Sequence, residues 1–225
     1  MASVKRHGFD TNTMFVYASD QGPEWPHSKW TLYDSGLRVP FVVRWPGRTP
    51  PRSVTDAMVS FTDVTPTLVD VAGGKQLAGL DGSSFKEVLL GKKKQFRTEI
   101  FASHTGDGEM NKFPQRCVRD LRYKYILNLH PERKWTTHFT LVSGIPESHK
   151  DVYDTWLERA RTDAAAAKLI DTLERHPAEE LYETERDPWE LNNLGGRPEF
   201  AATLARLRGR MTAMREQLRD GSDSE

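Results

Sequence analysis

Cysteine is nearly absent from this chain. Cys117 is the only one in 225 residues, which excludes an internal disulfide, and no Cys/His spacing of the kind that holds zinc occurs. Charge of one sign is also lacking: Lys+Arg and Asp+Glu both number 32, for a formal net charge of zero. Such a balance supplies no field to steer nucleic acid or an anionic membrane, and the Lys92-Lys93-Lys94 run reads as a solvated turn. Every uninterrupted apolar stretch is under ten residues, too short to span a bilayer. The opening residues, Met-Ala-Ser-Val-Lys-Arg-His-Gly, have no apolar core and do not read as a signal peptide.

What is present suits a packed α/β protein: 37% hydrophobic and 28% charged residues, in a length that fits one large domain or one with an appendage. Residues 13–18 form a nearly continuous apolar run, which predicts a strand buried on both faces, as in a parallel sheet covered by helices. The run ends in the polar turn Ser19-Asp20-Gln21-Gly22, and residues 39–45, closed by Pro46-Gly47, predict a second strand. Phe61, Val64, Leu68 and Val71 keep helical spacing, with Ser60, Thr62 or Asp63 as caps, Pro66 in the first turn and Gly73-Gly74 as a stop. Strand, turn, strand, helix is the rhythm of an α/β domain.

After Gly74 the texture changes. Residues 98–103 and 116–128 read as strands, the second with charges (Arg119, Arg122, Lys124) that predict one wet face. Residues 152–173 predict one helix, and Pro198 opens another whose stripe is Phe200, Leu204, Leu207, Met211, Met214 and Leu218. The tail from about residue 221 is expected to be loose. The predicted organisation is residues 1–74 as the end of a catalytic domain and 75–225 as a subdomain with a short antiparallel sheet.

Asp20 and Gln21 follow the carboxyl end of the first predicted strand, where ligands of open α/β sheets bind. A carboxylate beside an amide oxygen offers hard ligands, suited to calcium or magnesium rather than zinc. Asp-Gln-Gly is also ordinary turn chemistry, so the pair alone decides nothing. The longer stretch decides more. Residues 19–40, Ser-Asp-Gln-Gly-Pro-Glu-Trp-Pro-His-Ser-Lys-Trp-Thr-Leu-Tyr-Asp-Ser-Gly-Leu-Arg-Val-Pro, closely resemble the metal loop of the sulfatase family and its passage into the next core strand. Further resemblances follow in order: Asp63-Val64-Thr65-Pro66-Thr67-Leu68, Asp81-Gly82-Ser83-Ser84, the strand around Arg119 to Tyr125, and Asp187-Pro188-Trp189-Glu190-Leu191-Asn192-Asn193-Leu194. His104-Thr105-Gly106-Asp107-Gly108-Glu109-Met110 with Phe113-Pro114-Gln115-Arg116 is similar to a segment of sulfamidases, the heparan N-sulfatase branch.

The resemblance implies an alkaline-phosphatase-like fold and hydrolysis of a sulfate ester or N-sulfate on a sugar. It implies Asp20 and Gln21 as ligands of a calcium ion, Lys29 as the cation set against the sulfate, and His27, His104 and Arg116 as substrate contacts. It also implies a formylglycine nucleophile, made from a Cys or Ser in Cys/Ser-x-Pro-Ser-Arg. No such motif occurs here, and Cys117 lies in Arg-Cys-Val-Arg-Asp, which reads as a half-buried strand. The family's paired acidic metal ligands, and the Lys and His after its nucleophile, are absent too. The chain therefore reads as a fragment, inactive alone, with an exposed sheet edge where the missing N-terminal half would pair. Its parent would be exported or lysosomal. A phosphodiesterase or phosphonate hydrolase of the same superfold, or a non-catalytic remnant or binding module, are the rival readings.

Overall fold

The computed structural model describes residues 1–106, 111–141 and 150–220. The chain forms two compact units, Met1–Asp20 with Pro40–Ile100, and Gln21–Val39 with Phe101–Glu225. The boundary expected after Gly74 falls inside the first unit. Residues 21–39 belong instead with the C-terminal residues, because that is where their side chains are buried.

In chain order the first elements are helix α1 (Ala2–Arg6), strand β1 (Phe15–Ala18), helix α2 (Asp34–Leu37), strand β2 (Phe41–Arg44) and helices α3 (Val64–Val71) and α4 (Lys86–Leu89). Strands β3 (Glu99–His104), β4 (Gln115–Asp120) and β5 (Tyr123–Asn128) follow. Helices α5 (His138–Leu141), α6 (Lys150–Ala160) and α7 (Ala164–Glu174), strand β6 (Glu179–Glu183) and helix α8 (Ala201–Leu218) complete the chain.

In the first unit β1 and β2 pair antiparallel, with Phe15 opposite Arg44 and Ala18 opposite Phe41. This corrects the expectation of a strand buried on both faces of a parallel sheet. Among the described residues the sheet has two strands, and Val16 and Tyr17 remain 40% and 65% exposed. Two strands of four residues offer too little surface to carry a covering layer on each face. The α3 region follows the sequence closely. Ser60 and Asp63 form a capping box around a 3-10 turn, and Gly73, at φ +73°, stops the helix. Asp63 is wholly buried and also accepts from the Ser83 amide (2.9 Å) and the Arg97 guanidinium, tying the Gly82 turn to the helix start. Phe85 meets the rings of Phe41 and Phe96 edge-on, at 5.9 and 6.1 Å.

The second unit is built on a sheet in the order β3-β4-β5-β6, with β4–β5 and β5–β6 antiparallel. The single strand expected over residues 116–128 is a hairpin. Asp120 accepts from the amides of Arg122 (2.8 Å) and Tyr123 (2.6 Å), and this side-chain turn outweighs the strand-forming run around it. The two sheet faces have different covers. Val118, Tyr125 and Leu181 face α8, whose Leu207 and Met211 are essentially fully buried, worth about 1.5–3 kcal/mol each. Cys117, Ile126 and Tyr182 face Leu32 and Tyr33 of residues 21–39, together with Trp135. Lys124 and Arg119 share that second face, so the side expected to be wet is roofed, and Lys124 is 0% exposed.

The helix expected over residues 152–173 is two. Asp163 accepts from the amides of Ala165 (3.0 Å) and Ala166 (3.2 Å) and starts α7 as a new N-cap. Phe139, Tyr153 and Ile170 form the small core that α5, α6 and α7 share.

Candidate functional site

Residues 21–39 carry three of the sequence-predicted site residues, Gln21, His27 and Lys29, and fold back on themselves. The Gly22 amide donates to the Gly36 carbonyl (3.1 Å), Ser28 Oγ to the Ser35 carbonyl (2.7 Å) and Thr31 Oγ1 to the Ser28 carbonyl (2.7 Å). Glycine is required at both ends of this fold. An added Cβ would lie 2.1 Å from the Ser35 carbonyl oxygen at Gly22, and 2.4 Å from that of Ser28 at Gly36. Gly36→Ala is therefore expected to lower stability by about 1–3 kcal/mol, as overpacking does. Urea unfolding checks it; an unchanged midpoint would show that the loop relaxes freely.

Three anchors fix this segment to the sheet. Tyr33 is the first: its hydroxyl donates to Glu180 Oε2 (2.7 Å) and lies 3.1 Å from His176 Nδ1. Glu180 also accepts from Tyr182 (2.5 Å) and Asn128 (2.6 Å). Burial pushes the Glu180 carboxyl up, but the bonds from His176, Tyr182 and Tyr33 outweigh it and hold it below the ordinary Glu value. The second anchor is Asp34, whose carboxylate takes Lys124 Nζ at 2.5 Å and whose amide donates to Glu190 Oε2 at 2.5 Å. Lys124 reaches Glu190 as well, at 2.7 Å. His27 is the third: its ring stacks on Tyr33 at 3.6 Å, and its Nε2–H donates to the Trp189 carbonyl (2.9 Å). Burial lowers the His27 pKa to about 4, so the ring is neutral at pH 7.

Lys29 lies near the middle of the segment. Its ammonium is 3.2 Å from Glu24 Oε2 and 4.4 Å from the centre of the Trp30 ring, with the side chain 19% exposed. Trp25, His27 and Lys29 line a narrow crevice with Trp135, Phe139 and Tyr153. A part-buried ammonium steadied by a ring and one carboxylate can exchange that carboxylate for an external anion.

Asp20 is exposed and falls in the first unit; Gln21, also exposed, opens the second. The His104 ring tilts against Phe113, and its Nε2–H donates to the Asn111 carbonyl (3.1 Å). Arg116 is 2% exposed, its guanidinium held by Asp220 (2.6 and 2.7 Å) and by the carbonyls of His104 and Gln115. His104 and Arg116 are thus brought together, with Arg116 holding β4 to the end of α8. Residues 107–110 of the His104 segment lie outside the described residues. Cys117 is fully buried rather than half-buried, and burial pushes its thiol up to about 12, so no thiolate forms near neutral pH. Sequence reasoning missed Tyr33, Glu180 and His176, whose partnership spans 147 residues and has no local signal.

Solved structures share this architecture. One, determined with its substrate D-glucosamine-2-N,6-O-disulfate, matches 100% of this chain and 38% of its own at TM-score 0.69 and 21% identity. A 2-O GAG sulfatase matches 96% of this chain and 38% of its own at TM-score 0.67 and 23% identity. The fold is thus that of the alkaline-phosphatase-like sulfatases. Residues 24–157 match the family model described as N-sulphoglucosamine sulphohydrolase, C-terminal, and the chain belongs to that family. Among curated relatives, an ulvan-active sulfatase of Formosa agariphila is 35% identical over 198 residues, covering 87% of this chain and 36% of the relative. The N-sulphoglucosamine sulphohydrolase of Homo sapiens is 25% identical over 98% of this chain and 45% of its own length. The chain thus spans a little over a third of that ulvan-active relative and under half of the human one.

Proposed function

We propose that this chain supplies the C-terminal part of a sulfatase that hydrolyses sulfate groups, as esters or N-sulfates, on a sugar. The observation that carries the reading is the braced segment 21–39, which holds the Lys29 ammonium part-buried at a fixed place in a chain of this family. An ammonium at the edge of a partly dry crevice stabilises charge building on a sulfate far better than one in open water. Glu24, its present partner, would yield to the anion. The neutral His27 adds no second charge but fixes the backbone two residues away.

The nucleophile would come from polypeptide other than these 225 residues, since the sequence holds no Cys/Ser-x-Pro-Ser-Arg. Asp20 and Gln21 have the hard oxygens calcium prefers, but a calcium ion takes six to eight of them. Among the described residues no group of three His, Cys, Asp or Glu is placed to hold a metal ion. On their own, therefore, these two residues do not fit calcium, and a site using them needs further oxygen donors.

A chimera tests the reading: this chain would replace the corresponding C-terminal portion of the ulvan-active sulfatase of Formosa agariphila, which it matches at 35% identity. The folded chimera should release sulfate from a sulfated sugar, and Lys29→Ala should lower turnover tenfold or more with little change in melting temperature. Turnover within a fewfold of the parent would remove Lys29 from the site. Hydrolysis of a phosphonate monoester but no sulfate would move the reading to another chemistry of the superfold.

A further inference from the structure

The turn after β6 presents one large ring to solvent. Trp189 is 69% exposed, more open than any other tryptophan of the chain. Its backbone is nonetheless fixed at several points. The Trp189 carbonyl accepts from His27 Nε2, and the Asp187 carboxylate accepts from the amides of Leu191 (3.2 Å) and Asn192 (2.8 Å). Glu190 takes φ +54°, the left-handed region a side chain seldom enters, and His27 takes φ +61°. The turn at Glu190 sends that carboxylate inward to Lys124, 1% exposed, while its neighbours Trp189 and Leu191 point outward.

Single exposed apolar residues are ordinary and need no explanation. Here the residue after the ring and the residue that bonds its carbonyl both take strained backbone, and that bond ties the ring to the segment that carries Lys29. Strain of this kind persists where the surroundings enforce it, and it gathers where a group must be presented. An indole face carries negative quadrupole charge and favours the positive edge of what lies on it. The C–H face of a pyranose ring offers such an edge, and a sulfate on the same saccharide offers an anion for Lys29. An apolar peptide would satisfy only the indole.

We infer that Trp189 is a stacking platform for a sugar ring of a sulfated oligosaccharide, distinct from the place of the sulfate itself. The inference rests on the reading of Lys29 as the sulfate-facing cation. The full chain, labelled with 5-fluorotryptophan, is titrated by fluorine NMR with a heparin-derived N-sulfated tetrasaccharide and, separately, with inorganic sulfate. The resonance lost in Trp189→Ala should shift with the tetrasaccharide and stay still with sulfate. Affinity should fall tenfold or more in Trp189→Ala and stay within a fewfold in Trp189→Phe, which keeps a ring. A silent Trp189 resonance, no binding by the folded chain, or affinity in Trp189→Ala within twofold of the parent would each overturn the inference. If Lys29→Ala binds as the parent does while Trp189 still responds, the platform stands and the sulfate role of Lys29 falls.

Discussion

Replacing Lys124 by methionine is expected to lower the stability of the chain by about 3–5 kcal/mol. The ammonium is 0% exposed and lies between Asp34 (2.5 Å) and Glu190 (2.7 Å), a buried group with a charge of its own and two opposite ones. Methionine has nearly the right length but leaves two carboxylates without their shared cation, with Arg119, at 3.5 Å from Asp34, offsetting them in part. Burial already raises the Glu190 pKa, against the pull of Lys124 and the Asp34 amide. Without the lysine, burial should push the Glu190 carboxyl up further. Urea unfolding followed by circular dichroism would show the effect as a shifted midpoint at unchanged slope. Adding Glu190→Gln to Lys124→Met should restore part of the stability, because one uncompensated charge is then removed. A single-variant loss under about 1 kcal/mol would mean that water reaches the network and that it braces nothing.

Acid should loosen the same region through His27. Its pKa falls from 6.5 to about 4 in the folded chain, chiefly through burial, which the bond to Trp189 only partly opposes. The unfolded chain therefore binds more protons between these values, and stability rises with pH across that window. The contribution is complete above about 6.5 and is lost as pH falls towards about 4, a loss of about 3 kcal/mol. His27→Gln keeps a donor for the Trp189 carbonyl but cannot titrate. Its unfolding midpoint should therefore fall less steeply than the parent's from pH 7 to pH 4. Parallel curves for the two proteins would assign the acid sensitivity to other groups.

Local chemistry in the sequence foretold the elements that local chemistry builds. Ser60, Asp63 and Gly73 mark α3 because a capping box and a left-handed glycine are short-range devices. The α8 stripe is likewise correct at Leu207 and Met211, although Leu218 at its end is 48% exposed. The failures have one origin. Residues 116–128 read as one strand because a side-chain turn at Asp120 leaves the surrounding pattern of residues intact. Lys124 and Arg119 read as a wet face because nothing near them in sequence announces Asp34, which lies 90 residues from Lys124. Of the site, residues 21–39 could be recognised from their order, whereas the Tyr33–Glu180 support could not, and Arg116 was named without the Asp220 that holds it.

The distance in sequence between Tyr33 and Glu180 also sets a schedule. Residues 21–39 leave the ribosome long before β6 exists, and at about 5–20 residues per second the 147-residue gap lasts roughly 7–30 s. Until β4 and β5 follow, Leu32, Tyr33 and Asp34 have no sheet to bury them, and until β6 follows Tyr33 lacks its Glu180 acceptor. A chain released before Glu190 would carry the whole recognisable motif without the carboxylate that receives the Asp34 amide. Correct assembly therefore waits for β6 and the turn after it, and a chaperone or protease meeting the nascent chain before then would find this segment incompletely held.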